Sequence, residues 1–265
     1  MSNIKEAFKN KKAFIPFITC GDPDLETTAR LVRAMEENGA DLIELGIPFS
    51  DPTAEGPTIQ GASMRALAGG TTVDKIFDMV VHLRREVKVP LVFMTYANLV
   101  FSYGTEKFAK TAARVGVDGI ILPDVPLEEK EEFAPSFRKY GLDFISLIAP
   151  SSHERIEQIA RQAEGFVYCV SSLGVTGTRE KITGDVKAMV DLVARANPDI
   201  PCAIGFGIST PDQTAQMGQY SDGVIVGSAF MKLIEEHGTS SEPYVSDLTK
   251  KMKEGLTKGL GQKAL

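Results

Sequence analysis

The chain has 265 residues, 43% of them hydrophobic, and a net charge of −6 with both signs interspersed. That length suits one large α/β domain and that composition excludes a disordered chain. There is no basic block to favour nucleic acid or an anionic membrane surface, and no apolar run nears the roughly 20 residues that span a bilayer.

The N-terminal stretch MSNIKEAFKNKKAF reads as an amphipathic helix. It lacks the long apolar segment of a secretory leader. Eight apolar runs follow: AFIPFIT (13–19), DLIELG (41–46), PLVFMTY (90–96), DGIILPD (118–124), DFISLIA (143–149), FVYCVSS (166–172), PCAIGFG (201–207) and GVIVGSA (223–229). Each is nearly continuous rather than alternating, as parallel strands buried on both faces require. Helical patterns lie between them. LETTARLVRAMEENGA sets Leu25, Ala29, Val32 and Met35 at spacings of three and four and stops at Gly39; TVDKIFDMVVHLRREV aligns Ile76, Met79, Val80 and Leu83. Several of these patterns end in glycine, the preferred helix terminator. Eight strand–helix units predict a single-domain (β/α)8 TIM barrel over residues 1–265, with an extra N-terminal helix. An open doubly wound sheet is the alternative, but the glycine-rich signal described below comes too late in the chain for a dinucleotide fold.

Two connections exceed the usual length: roughly 40 residues after the second run and about 30 after the sixth. In a barrel this extra chain belongs to the C-terminal face, where active sites are built. The first holds ELGIPFSDPTAEGPTIQ (44–60), with Glu44, Asp51 and Glu55 among Pro48, Pro52 and Pro57. Glu44 lies inside an apolar run, and burial there would raise its pKa towards neutrality, suiting it to proton transfer. Asp51 could serve the PFSDP turn, and Glu55 could cap a helix begun by Pro57. Asp124, at the end of the fourth run, either faces the barrel mouth or caps a helix starting near Leu127. The second long connection holds GVTGT (174–178), a composition suited to a lid.

The seventh and eighth runs end in GFGIST (205–210) and GSAF (227–230). Glycines there let backbone N–H groups approach an anion, and Gly227-Ser228 opens a helix whose N-terminus favours phosphate. The three histidines, His82, His153 and His237, fall in charge-rich helical stretches and read as solvent-facing. Cys20, Cys169 and Cys202 are widely separated, and no CxxC pairs them. They read as buried small hydrophobes in a reducing, cytoplasmic setting, without zinc. The residues alone describe a barrel enzyme acting on a small phosphorylated metabolite with carboxylates as acid and base, without metal, nicotinamide or other cofactor.

The ordered set PFITCGDP (16–23), ELGIPFSDP, TYANLVF (95–101), PDVPLEE (123–129), GVTGT and GFGIS resembles the tryptophan synthase α-subunit family from Phe14 to about Leu233. The resemblance implies retro-aldol cleavage of indole-3-glycerol phosphate to indole and glyceraldehyde 3-phosphate. It also implies an allosteric α2β2 heterotetramer with a pyridoxal-phosphate β subunit that joins indole to serine in tryptophan biosynthesis. By the same resemblance Glu44 is the acid–base group and Glu55 holds the indole N–H. Phe17, Tyr96 and Tyr168 belong to or border the indole pocket, and Asp124 contacts substrate. Thr176 and Gly177 lie on the closing loop, and Gly207, Gly227 and Ser228 hold phosphate. Asp51, Thr53 and Gly174 belong to the partner contact and allosteric relay. The family pattern SDPLADGP reads SDPTAEGP here: Thr53 replaces a leucine and Glu55 an aspartate. Two other outcomes fit these residues: a stand-alone lyase that releases indole, and a weakly active chain that mainly activates a β subunit.

Overall fold

The computed structural model describes residues 2–152, 154–170, 179–205 and 207–261. All eight apolar runs contribute strands: β1 (Ala13–Thr19), β2 (Ile43–Gly46), β3 (Leu91–Met94), β4 (Gly119–Ile121), β5 (Asp143–Ile148), β6 (Val167–Val170), β7 (Cys202–Gly205) and β8 (Gly223–Val226). Each pairs in parallel with the next, and β8 closes on β1, giving a barrel in sequence order. Most strands are shorter than the apolar runs. The residues left over at the C-terminal ends depart from the ladder and build the mouth.

Helices alternate with the strands around the outside. Their starts are chemically marked. The Asp24 carboxylate accepts the Thr27 N–H at 2.6 Å to open Leu25–Glu37, and Thr210 and Gln213 form a reciprocal capping box that opens Pro211–Gly218. Core side chains fill both the barrel and the layer between barrel and helices. In that layer Phe77, Phe93, Phe108, Phe137 and Phe144 meet in tilted and edge-on contacts.

The expected N-terminal helix spans Ile4–Phe8. It lies at the base of the barrel, with Ile4 and Ala7 buried and the Phe8 ring 5.5 Å from Phe166. The long connection after β2 carries two helices, Pro57–Ala68 and Val73–Leu83. The closing helix, Glu242–Gly261, packs on Pro211–Gly218 and Leu25–Glu37.

Candidate active site

Glu44 is the second residue of β2. The ladder sets it opposite Phe17 of β1 on one side and Val92 of β3 on the other. Glu44 and Phe17 line a cavity of about 590 Å³ at the barrel mouth, together with Glu55, Met94, Tyr168 and Ile225. Glu44 is 1% exposed. Burial, reinforced by the neighbouring Glu55 charge, pushes its carboxyl up to about 8. Its Oε2 atom is buried without a hydrogen-bond partner, an expensive arrangement for a group with no task.

Glu55 reaches the same cavity from the loop after β2. Pro57 opens the following helix, and Gly56 occupies the cap position without a side-chain cap. Glu55 therefore does not serve as the helix cap. Its side chain turns inward, and its Oε2 is also buried and unpartnered. Desolvation raises this carboxyl to about 7, while the Tyr96 hydroxyl beside it pulls the other way. The loop is held from several directions. Tyr96 stacks on Phe49 with centroids 5.1 Å apart, and its hydroxyl accepts the Ala54 N–H at 3.1 Å. The Gln60 amide donates to the Glu55 carbonyl at 2.8 Å. Arg65, two turns into the helix, grips the buried Asp22 carboxylate at 2.9 and 2.8 Å and pairs with Glu235 at 2.8 Å. These contacts tie the Glu55 helix to the loop after β1 and to the helix Ser228–His237.

The opposite wall is built for an anion. Gly207 has φ +75°, a conformation L side chains rarely adopt. Gly227 and Ser228 stand at the N-terminus of the helix Ser228–His237, and all three line the cavity. Lys232, one turn along, lines it too and adds a cationic side chain near the helix N-terminus. The Tyr168 ring crosses Gly205 so closely that a Cβ there would lie 2.7 Å from the ring. Burial and the nearby Glu44 keep the Tyr168 hydroxyl protonated, raising it well above its ordinary pKa.

The structure thus brings together Phe17, Glu44, Glu55, Tyr168, Gly207, Gly227 and Ser228, with Tyr96 supporting Glu55 from behind. Asp124 lines neither this cavity nor its neighbour. Its carboxylate accepts the Ala97 N–H at 3.1 Å through both oxygens, capping the helix Ala97–Tyr103 rather than one near Leu127. Asp51 is exposed and accepts the Ser50 hydroxyl at 2.5 Å. Thr53 lines an adjoining cavity of about 720 Å³ that shares Glu55, Met94 and Tyr168 with the first. Gly174, Thr176 and Gly177 lie outside the described residues, as does His153. His82 is exposed, but His237 is half-buried and stacked on Tyr244 at 3.6 Å, so it does not face solvent freely as its charge-rich surroundings suggested. All three cysteines are buried and free. Among the described residues, no cluster of three or more His, Cys, Asp or Glu is placed to hold a metal ion.

Sequence reasoning passed over Met94, Ile225 and Lys232. The first two were within reach, because both lie in the C-terminal halves of their strands, β3 and β8, on the side that opens to the mouth. Lys232 follows Ser228 at helical spacing of four and so shares its face.

A (β/α)8 barrel with two desolvated carboxylates facing a glycine-lined helix N-terminus defines an acid–base enzyme for a small phosphorylated substrate. The family profile described as tryptophan synthase alpha chain matches residues 2–259. The tryptophan synthase alpha chain of Lacticaseibacillus casei is 46% identical over 253 residues, covering 96% of this chain and 95% of that one. The corresponding chain of Geobacter sulfurreducens is 51% identical over 85% of this chain and 86% of its own. The crystal structure of tryptophan synthase subunit alpha from Legionella pneumophila superposes with a TM-score of 0.88 at 35% identity, covering 97% of this chain and 99% of that one. The chain belongs to the tryptophan synthase alpha chain family. It is accordingly a carbon–carbon lyase that cleaves indole-3-glycerol phosphate to indole and glyceraldehyde 3-phosphate.

Proposed function

We propose that Glu44 and Glu55 divide the proton chemistry of this cleavage between them. The carbon–carbon bond breaks only after the indole ring is protonated at C3. Glu44, held in its acid form by burial, supplies that proton. The protonated ring carries its positive charge at nitrogen, and the Glu55 carboxylate accepts the N–H and balances the charge. Glu44, now a carboxylate, takes the proton of the glycerol hydroxyl on the carbon that leaves. The bond electrons return to the ring, the aldehyde forms, and Glu44 is again an acid. The observation that carries this reading is the pair of buried, unpartnered Oε2 atoms of Glu44 and Glu55 on one cavity.

Gly207, Gly227 and Ser228 take the phosphate, and Phe17, Met94, Tyr168 and Ile225 enclose the indole. Tyr96 tunes Glu55 from behind. Family resemblance gives Thr176 and Gly177 the covering contacts and keeps Asp124 near the substrate, where its cap on Ala97–Tyr103 orders the mouth. The same resemblance makes the pyridoxal-phosphate β subunit the partner in an α2β2 assembly, with Asp51, Thr53 and Gly174 on the coupling face. Exposure of Asp51 and Thr53 at the rim supports that role. A cytoplasmic location fits three free, buried cysteines, and no helix of the described residues is long and apolar enough to cross a membrane.

The test is indole release from indole-3-glycerol phosphate by the purified chain, alone and with a β subunit. Slow release that accelerates on adding the partner is expected. Fast release that the partner leaves unchanged would point to a stand-alone lyase. No release in either condition would overturn the proposal for Glu55 in the aspartate position.

A further inference from the structure

The adjoining cavity of about 720 Å³ has a part that the cleavage does not use. It runs from the mouth towards Leu127, Lys130, Phe144, Ser146 and Ile159. Its walls are mostly apolar, with Ser146, Ser152, Lys130 and Arg155 as the polar lining at this end. Arg155 is paired with Glu128 at 2.9 Å, whereas Lys130, in the 3-10 turn Leu127–Glu132, is only 2% exposed. The ammonium donates to Ser146 Oγ at 3.2 Å and to the Gln162 carbonyl at 3.0 Å, and stands 5.5 Å from the centroid of the Phe144 ring. An ammonium has three donors, so one is left over.

The counter-ion is missing for an identifiable reason. Two carboxylates, Glu131 and Glu164, are near enough to act on Lys130 electrostatically. Both are committed to Arg138: Glu131 takes its Nη1 through both oxygens at 3.0 and 3.2 Å, and Glu164 takes its Nε at 2.5 Å. The second Glu164 oxygen accepts the Phe144 N–H at 3.1 Å. Among the described residues no carboxylate lies within ion-pair distance of Lys130. Buried charges are ordinarily paired. Contact with a helix-terminal carbonyl and one hydroxyl explains two donors and leaves the charge uncompensated. Burial accordingly lowers the Lys130 pKa from its ordinary value.

We infer that this side pocket is a second binding site, for a small aromatic monocarboxylate whose ring lies among Leu127, Phe144 and Ile159 and whose carboxylate meets the Lys130 ammonium. One uncompensated cation selects a monoanion, and the apolar walls select a ring over a polar body. The site is independent of the cleavage chemistry, because Lys130 lines only the outer cavity.

The probe is phenylacetate, with phenylacetamide as its uncharged counterpart. Binding is measured by calorimetry and by amide NMR shifts on the full chain. Saturable phenylacetate binding is expected, with shifts around residues 127–130 and 144–146. Phenylacetamide and the Lys130→Met variant should each bind at least about tenfold more weakly. Leu127→Trp, which fills the pocket and leaves Lys130 in place, should also lose binding; it keeps the test open if Lys130→Met does not fold. Absence of saturable binding to the wild-type chain, equal affinity for the amide, or unchanged binding by either folded variant would overturn the inference. Indole release is assayed on the same samples. Lys130→Met should cleave like wild type, so a failed side pocket and a failed lyase reading give different results.

Discussion

The base of this barrel and the cavity at its mouth treat buried carboxylates in opposite ways. At the base, Asp41 lies two residues before β2 and is 7% exposed; it accepts the Phe14 N–H at 2.7 Å and pairs with Lys11 and Lys253. Asp118, just before β4, accepts the Asn3 and Leu91 N–H groups at 3.0 Å each and pairs with Arg84 at 2.6 Å. Three residues beyond Asp41, in β2 itself, Glu44 is buried with an oxygen that has no partner. Glu55 beside it is half-buried, and its Oε2 too is buried without a partner. The base uses carboxylates to tie strand ends together, with both oxygens of each directed at donors. The catalytic cavity holds Glu44 and Glu55 desolvated, each with one oxygen that no protein group meets, whereas Asp22 on the loop after β1 is paired with Arg65. Burial alone does not identify a functional acid; burial without partners does.

The largest separation of the two ends should come from Glu44→Gln. Cleavage should fall by roughly 1,000-fold, within the range for losing a general acid–base group, while a phosphate-bearing ligand still binds. Indole release and ligand titration check this together, and near-normal turnover would remove Glu44 from its role. The same substitution should not destabilise the chain. A carboxyl raised to about 8 in the fold keeps a proton that the unfolded chain, with an ordinary value of 4.5, has already lost. Its stabilising contribution is therefore complete at acid pH and is lost as pH climbs to about 8. Glu44→Gln should gain stability relative to wild type between pH 5 and 9, read by denaturant melts at several pH values.

Asp118→Ala should do the reverse. It strands the buried Arg84 guanidinium and two N–H groups and should cost about 3 kcal/mol, while the folded fraction keeps its turnover. Equal stability of this variant and wild type would break the contrast at the base.

Smaller effects sharpen the mouth. With Glu55 needed as the anion and Glu44 as the acid, kcat/KM should rise through about 7 and fall through about 8. These limbs belong to the coupled pair. Tyr96→Phe removes the interaction that lowers Glu55, so the rising limb should move to higher pH and the bell should narrow. A profile unchanged by that substitution would detach Tyr96 from Glu55. The smallest effect is expected for Glu55→Asp, which gives the shorter side chain that the family resemblance implies there and should leave activity equal or higher. A collapse would mean that Phe49, Tyr96 and Gln60 have set the loop for the longer side chain.

The barrel was legible because its strands are buried on both faces, and a chain can meet that demand only with continuous apolar runs. Glu44 was legible for a related reason: a carboxylate inside such a run is out of place unless it has work to do. Gly207, Gly227 and Ser228 stood out because close approach to an anion demands small residues. Other features depend on contacts between distant segments and left no local trace. Asp124 caps Ala97–Tyr103, a helix earlier in the chain than its own strand, and nothing near Asp124 in sequence points there. The Arg65–Asp22 clamp joins residues 43 positions apart, and the commitment of Glu131 and Glu164 to Arg138 emerges only once three elements meet. His237 read as exposed because its neighbours in sequence are charged, whereas its ring is covered by Tyr244 from the following helix.

Glu44 should hold a proton at neutral pH because it is buried with an oxygen that has no partner. Carboxyl carbon NMR of the glutamate-labelled chain, with Glu44 and Glu55 assigned through their glutamine variants, reads this directly. Midpoints near 8 for Glu44 and near 7 for Glu55 are expected, each perturbed when the other is replaced. Titration of Glu44 at its ordinary value of 4.5 would contradict this, because the group would then be a carboxylate at neutrality with no proton to give the indole ring.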